Sequence, residues 1–125
     1  MRIVHLVNEL WYGGIQESTY ALCKGLPDIT HYVLGHTTGP MENLFSSLHN
    51  VEVTSLWNKE YTGLADFVVE HGIDIVHKQM GGGDQSRMLW QLRRPDRLCA
   101  VVESMHCPRN SKSPADIVDH ICVAS

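Results

Sequence analysis

Short β-rich runs alternate with helix-patterned stretches along this chain, and that alternation constrains the fold more than any single motif. β-rich runs are read at residues 3–7, 31–35, 51–56, 74–77, 98–105 and 120–124. Helical spacing of apolar residues falls at 17–26, where Pro27 ends the run, and at 64–71, where Gly72 supplies a C-terminal glycine. Shorter helices are read at 41–48, at 84–92 with Asp84 as cap, and at 114–118. Strands alternating with helices imply a parallel sheet covered on both faces. The expected class is therefore α/β, a Rossmann-like doubly wound parallel sheet in three α/β/α layers. Ligands of such sheets sit at the carboxyl ends of the strands near a switch point.

With 125 residues the chain is expected to be one Rossmann-like domain spanning 1–125. A charged fraction of 19% beside 43% hydrophobic residues fits a packed globule and not a disordered chain. Net charge is −4 and no basic run exceeds Arg93-Arg94, so no nucleic-acid partner is expected. The longest apolar stretches are far too short to span a membrane. The start, Met1-Arg2-Ile3-Val4, lacks a signal-peptide pattern, so cytoplasmic residence is expected, with peripheral membrane contact left open. Cys23, Cys99 and Cys122 sit in apolar runs and read as buried free thiols.

Chemistry concentrates after the first strand, where Asn8-Glu9-Leu10-Trp11-Tyr12-Gly13-Gly14 leads into a helix. Paired glycines let a backbone approach a ligand closely, and a helix start offers unpaired N–H groups and a positive dipole end. No capping side chain stands at Gly14, so these amides are available to an outside anion, or the loop is a plain turn. Glu17 is placed to compete as a capping carboxylate. The spacing matches neither GxGxxG nor a P-loop. Trp11 and Tyr12 are the aromatic candidates for ligand contact. His77 ends a strand at the ligand edge, and Gln79 lies two residues on; either contacts an acceptor, or His77 is satisfied by backbone. The glycines at 81–83 read as a flexible acceptor-side loop. No Cys-x2-Cys or His-x3-His spacing appears among the 8 histidines and 4 cysteines, so no metal site is expected. No Gly-x-Ser-x-Gly is present either.

Four segments in order carry a family resemblance. The opening from Met1 to Ser18, with its strand, Gly-Gly loop and following Glu17, resembles that of the family 4 retaining GT-B glycosyltransferases. Ile73-Asp74-Ile75-Val76-His77 resembles their fourth strand, Val101 to His106 their fifth strand ending in His, and Val118 to Ser125 their last segment. The resemblance implies the N-terminal, acceptor-side half of a GT-B fold. Gly13 and Gly14 would bring backbone amides to the donor diphosphate, and His106 would lie beside the transferred sugar as the catalytic histidine. Cys107 and Gln79 depart from the family pattern, and Glu103 is unusual inside a buried strand. The implied partners are a nucleotide sugar, which is a substrate and not a cofactor, and a glycan, lipid or small-molecule acceptor.

In the resembled family the donor-gripping residues lie in a C-terminal domain that this sequence does not contain. Transfer needs both substrates in near-attack geometry, and one domain supplies one wall of that site. The sequence ends directly after its sixth strand, so it is expected to be a piece of a larger protein, inactive or very weak alone. Self-association through the uncovered last strand stays open. Two other readings stand beside this one: a non-catalytic binding module of the same fold, and a different Rossmann-like protein such as a sugar-nucleotide epimerase half or a flavodoxin-like signalling domain.

Overall fold

A computed structural model describes residues 1–35, 37–54, 63–79, 88–93, 99–105 and 116–123. Six parallel strands form one sheet: β1 (Arg2–Leu6), β2 (Thr30–Leu34), β3 (Val51–Thr54), β4 (Ile75–Lys78), β5 (Ala100–Met105) and β6 (His120–Val123). Their order across the sheet is β3-β2-β1-β4-β5-β6. The chain moves outward from β1 to β3, then crosses back to start again at β4. The switch point therefore lies between β1 and β4. The fold is the expected Rossmann-like α/β sheet.

Among the described residues three α-helices join these strands: α1 (Gly14–Gly25), α2 (Met41–Ser46) and α3 (Leu64–His71). Alternation along each strand sends successive side chains to opposite faces. On one face Val7 and Val33 pack with Met41 and Phe45 of α2 and with Ile15 and Tyr20 of α1. On the other, Val4, Leu6, Leu34, Val76 and Val101 pack with Leu64 and Val68 of α3 and with Met88, Leu89, Leu92 and Ile117. Helices thus cover both faces, as a doubly wound sheet requires.

Element ends differ from the sequence reading in instructive ways. α1 begins at Gly14 and not at Glu17, because its cap is a glycine in extended conformation that leaves no side-chain signal. Its inward stripe is Gln16, Thr19 and Cys23, whereas the apolar Leu22 and Leu26 are more than a third exposed. α3 ends as read: Gly72 adopts φ 59° and ψ 47°, a left-handed conformation that favours glycine. Of the helix read at 84–92 the described part closes as a 3-10 turn, Trp90–Leu92. Of that read at 114–118 the described Asp116 and Ile117 form a turn. Cys23 is buried as expected, but Cys99 is half-buried and Cys122 is exposed, because Cys122 stands on the edge strand.

Two aspartates of the family-like segments stitch strand starts. Asp74 Oδ2 accepts the Arg2 amide at 2.8 Å, and Asp119 Oδ2 accepts the Val101 amide at 2.7 Å. Both sit at the end of the sheet opposite the ligand edge, so their work is structural. Asn50 closes the far end of α1: its amide nitrogen lies 3.1 Å from each of the Cys23, Leu26 and Ile29 carbonyls. Those include carbonyls that a helix end leaves without intrahelical partners.

Candidate functional site

The loop after β1 is held from beneath. Val7 donates to the Leu34 carbonyl at 3.0 Å, and Glu9 bridges in parallel to Thr37. Leu10, fully buried, donates to Thr37 at 3.3 Å and accepts from Met41 at 2.9 Å. Gly39 makes this approach feasible, since a Cβ there would stand 2.3 Å from the Leu10 carbonyl oxygen. Anchoring Leu10 pushes the next two side chains outward: Trp11 is 56% and Tyr12 63% exposed.

The helix start beyond them is open. The first helical bond is Glu17 N–H to the Gly13 carbonyl at 2.9 Å, and no side chain caps the end. Among the described residues the amides of Gly14, Ile15 and Gln16 have no protein acceptor. Gln16 turns inward and donates to the Glu9 carbonyl at 2.6 Å. A Cβ on Gly13 would meet Gln16 Oε1 at 2.7 Å, so a larger residue there requires the end of the flexible Gln16 side chain to shift. Gly14 is different, because a Cβ there would meet nothing within 4 Å. The intramolecular packing therefore gives no reason for glycine at position 14. Glu17 is exposed in the first turn and does not close the end.

Beneath the loop a chain of polar side chains crosses the face under α1. His31 Nδ1 lies 2.9 Å from His5 Nε2, and His5 Nδ1 lies 2.9 Å from His77 Nδ1. His77 Nε2 lies 2.6 Å from Ser104 Oγ, and the Gln79 amide nitrogen is placed 3.1 Å from His77 Nδ1. At the other end His31 Nε2 lies 3.2 Å from the Leu26 carbonyl. The register explains the assembly: His5 pairs with both Val33 and His77, and residues two apart on a strand share a face. His77 thus has a side-chain partner at each ring nitrogen.

Burial sets the charge of this chain. His5 is held well below the usual histidine range by burial and then by His77 and His31 beside it. His31 is lowered by burial, against a smaller upward pull from the Leu26 carbonyl. Both imidazoles are therefore neutral at pH 7. Burial also pushes the Cys23 thiol up to about 12. His5, Cys23 and His31 place their donor atoms within 4.8 Å of one another, a set of soft ligands that sequence spacing concealed.

On the opposite face Lys78 Nζ meets Glu103 Oε1 at 3.0 Å, both buried. Burial lowers the Lys78 amine, and Glu103 pulls it back up. This pair answers the oddity of a glutamate inside a central strand.

The fold thus brings Gly13, Gly14, Trp11 and Tyr12 to one loop. It sets His77 and Gln79 on the adjacent strand end, where Gln79 donates its amide to Leu6 at 3.3 Å. His106 and the glycines at 81–83 lie outside the described residues. Sequence reasoning missed His5, His31 and Ser104; their common parity on neighbouring strands was the available signal.

No protein-family profile and no curated protein matches the sequence. Among solved structures the chain is similar to the apo-form glycosyltransferase GlyE of Streptococcus pneumoniae TIGR4, with a TM-score of 0.60 over 98% of this chain and 12% sequence identity. The chain spans 29% of that protein's length. At this identity the likeness shows a shared fold.

Proposed function

We propose that this chain is the acceptor-side domain of a nucleotide-sugar-dependent glycosyltransferase of the GT-B type, retaining and close to family 4. The observation that carries the reading is the open start of α1 at the switch point, where Gly14 has nothing within 4 Å of a would-be Cβ. Free amides and a helix dipole at that position suit a diphosphate. The fold shared with GlyE and the ordered family-like segments support the same reading.

In this proposal Gly13 and Gly14 face the donor diphosphate and His106 lies beside the transferred sugar. Trp11, Tyr12, His77 and Gln79 face the acceptor. The donor is a substrate, and the chemistry calls for no resident cofactor or metal. A second domain supplies the other wall of the cleft, so the 125-residue chain alone turns over negligibly. Cytoplasmic residence suits a nucleotide-sugar donor.

Titration with UDP-, GDP- and ADP-sugars, followed by tryptophan fluorescence, tests the site. One nucleotide sugar is expected to change the emission in the millimolar range, and Gly14→Asp to abolish the change through its added carboxylate. No response to any of the three would overturn the phosphate site. Rapid sugar transfer by the isolated chain would overturn the half-site reading.

A further inference from the structure

We propose that Ser104 is a nucleophile activated by His77, with His5 and His31 as positioning residues, and that it accepts an acyl group from a carboxylic ester. The inference rests on the buried polar chain and is independent of sugar transfer.

Proton order along the chain follows from its fixed end. The Leu26 carbonyl only accepts, so His31 carries its proton on Nε2, 3.2 Å away. A neutral His31 then has a bare Nδ1. His5 donates Nε2–H to it at 2.9 Å, which leaves His5 Nδ1 bare. His77 donates Nδ1–H to that nitrogen at 2.9 Å. The Gln79 amide nitrogen lies 3.1 Å from the same His77 nitrogen, and this proton order calls for the amide oxygen in its place. A neutral His77 then offers a bare Nε2, 2.6 Å from Ser104 Oγ, to which the serine hydroxyl donates.

The opposite order would place His31 Nδ1–H on His5, and its Nε2 would face the Leu26 carbonyl unprotonated unless His31 were a cation. His31 is fully buried, and burial opposes that charge. One carbonyl thus selects the tautomer of three histidines and leaves a base on the serine. A nucleophile bonded to a base, itself oriented by a third group, is the arrangement that activates serine hydroxyls. Its place also fits. Ser104 is half-buried near the end of β5 and His77 stands on β4 beside the switch point, at the ligand edge of such a sheet.

In the step proposed, Ser104 Oγ attacks the ester carbonyl carbon while its proton passes to His77 Nε2. The bond to the leaving alcohol breaks, and the alcohol takes that proton. Water then attacks the acyl-Ser104 ester, giving a proton to His77, and the carboxylic acid is released as the proton returns to Ser104. No electrons are exchanged with any other reagent.

The full chain, incubated with a fluorophosphonate and in parallel with p-nitrophenyl acetate, tests this. The fluorophosphonate forms an Oγ–P bond and loses fluoride. Peptide mass spectrometry is expected to find Ser104 as the modified serine, with no label there in Ser104→Ala. His77→Gln is expected to slow labelling on the order of 10²-fold. Nitrogen-15 NMR of the unmodified chain, which needs no variant, is expected to show the His77 proton on Nδ1. His31→Phe should redistribute the His5 and His77 tautomers, which a merely space-filling role would not do. A proton on His77 Nε2, labelling spread evenly over the serines, or a rate unchanged in His77→Gln would overturn the proposal.

Discussion

Acidification through the histidine range should unfold this protein unusually early. His5 and His31 are fully buried and have folded-state values below the ordinary histidine range. In the unfolded chain both titrate near pH ~6.5. Below that pH the unfolded state binds protons that the folded state refuses, so folding stability falls as pH falls. Above it both states are neutral and the effect vanishes. Once the pH drops beneath the folded-state values the loss levels off. While it lasts, the slope is about 1.4 kcal/mol per pH unit for each histidine, and about 2.7 for the two together.

Urea unfolding followed by circular dichroism, at constant ionic strength from about pH 7.5 to about pH 5, measures this directly. With a denaturant slope of ~2 kcal/mol/M the midpoint should fall by about 1.4 M per pH unit at its steepest. Most carboxylates titrate below that window and Cys23 far above it, so neither mimics the signal. His5→Gln combined with His31→Gln should flatten the dependence. A wild-type midpoint that stays level, or rises, between pH ~6.5 and ~5 would refute the claim that these rings are buried and neutral.

Three further perturbations probe the frame around the site. Gly39→Ala drives a Cβ against the Leu10 carbonyl, so it should cost about 1–3 kcal/mol in chemical denaturation and shift tryptophan emission as the Trp11 loop moves. Lys78→Met or Glu103→Leu alone should cost about 3–5 kcal/mol by leaving one charged partner buried, and the two together should recover most of that loss in a double-mutant cycle. Phe45→Ala should cost about 3–5 kcal/mol, whereas its exposed neighbour Leu44→Ala should stay within about 0.5 kcal/mol, both read from urea midpoints.

The order of elements was legible because short β-rich runs alternate with helix-patterned stretches that Pro27 and Gly72 punctuate. Gly72 marked the end of α3 through a backbone conformation that other residues resist. The Gly13-Gly14 loop marked the start of α1, although the helical spacing of apolar residues begins only at 17. The inward face of α1 is not one that apolar residues alone would mark. Apolar spacing identifies an inward stripe only when the surface beneath is apolar, and α1 lies over His5 and His31. Gln16, Thr19 and Cys23 face inward there beside Ile15 and Tyr20, while the apolar Leu22 stays more than a third exposed.

That mismatch locates the site better than the glycine loop does. A chain selected only to pack would place valine or leucine at positions 5, 31 and 77, as at Val4, Val33 and Val76 alongside. Burying three imidazoles costs solvation that their mutual hydrogen bonds only offset. Such a network is tolerable when every nitrogen has a partner, and here a polar helix face is set above it. The partners lie 26 and 72 positions apart in sequence, so no local spacing announces them. Only the strand order β2-β1-β4, which puts His31, His5 and His77 on neighbouring strands, turns scattered histidines into one chain ending at Ser104. Where a doubly wound sheet carries polar residues of one parity on strands flanking its switch point, the register is the information needed, and it exists only after the fold is known.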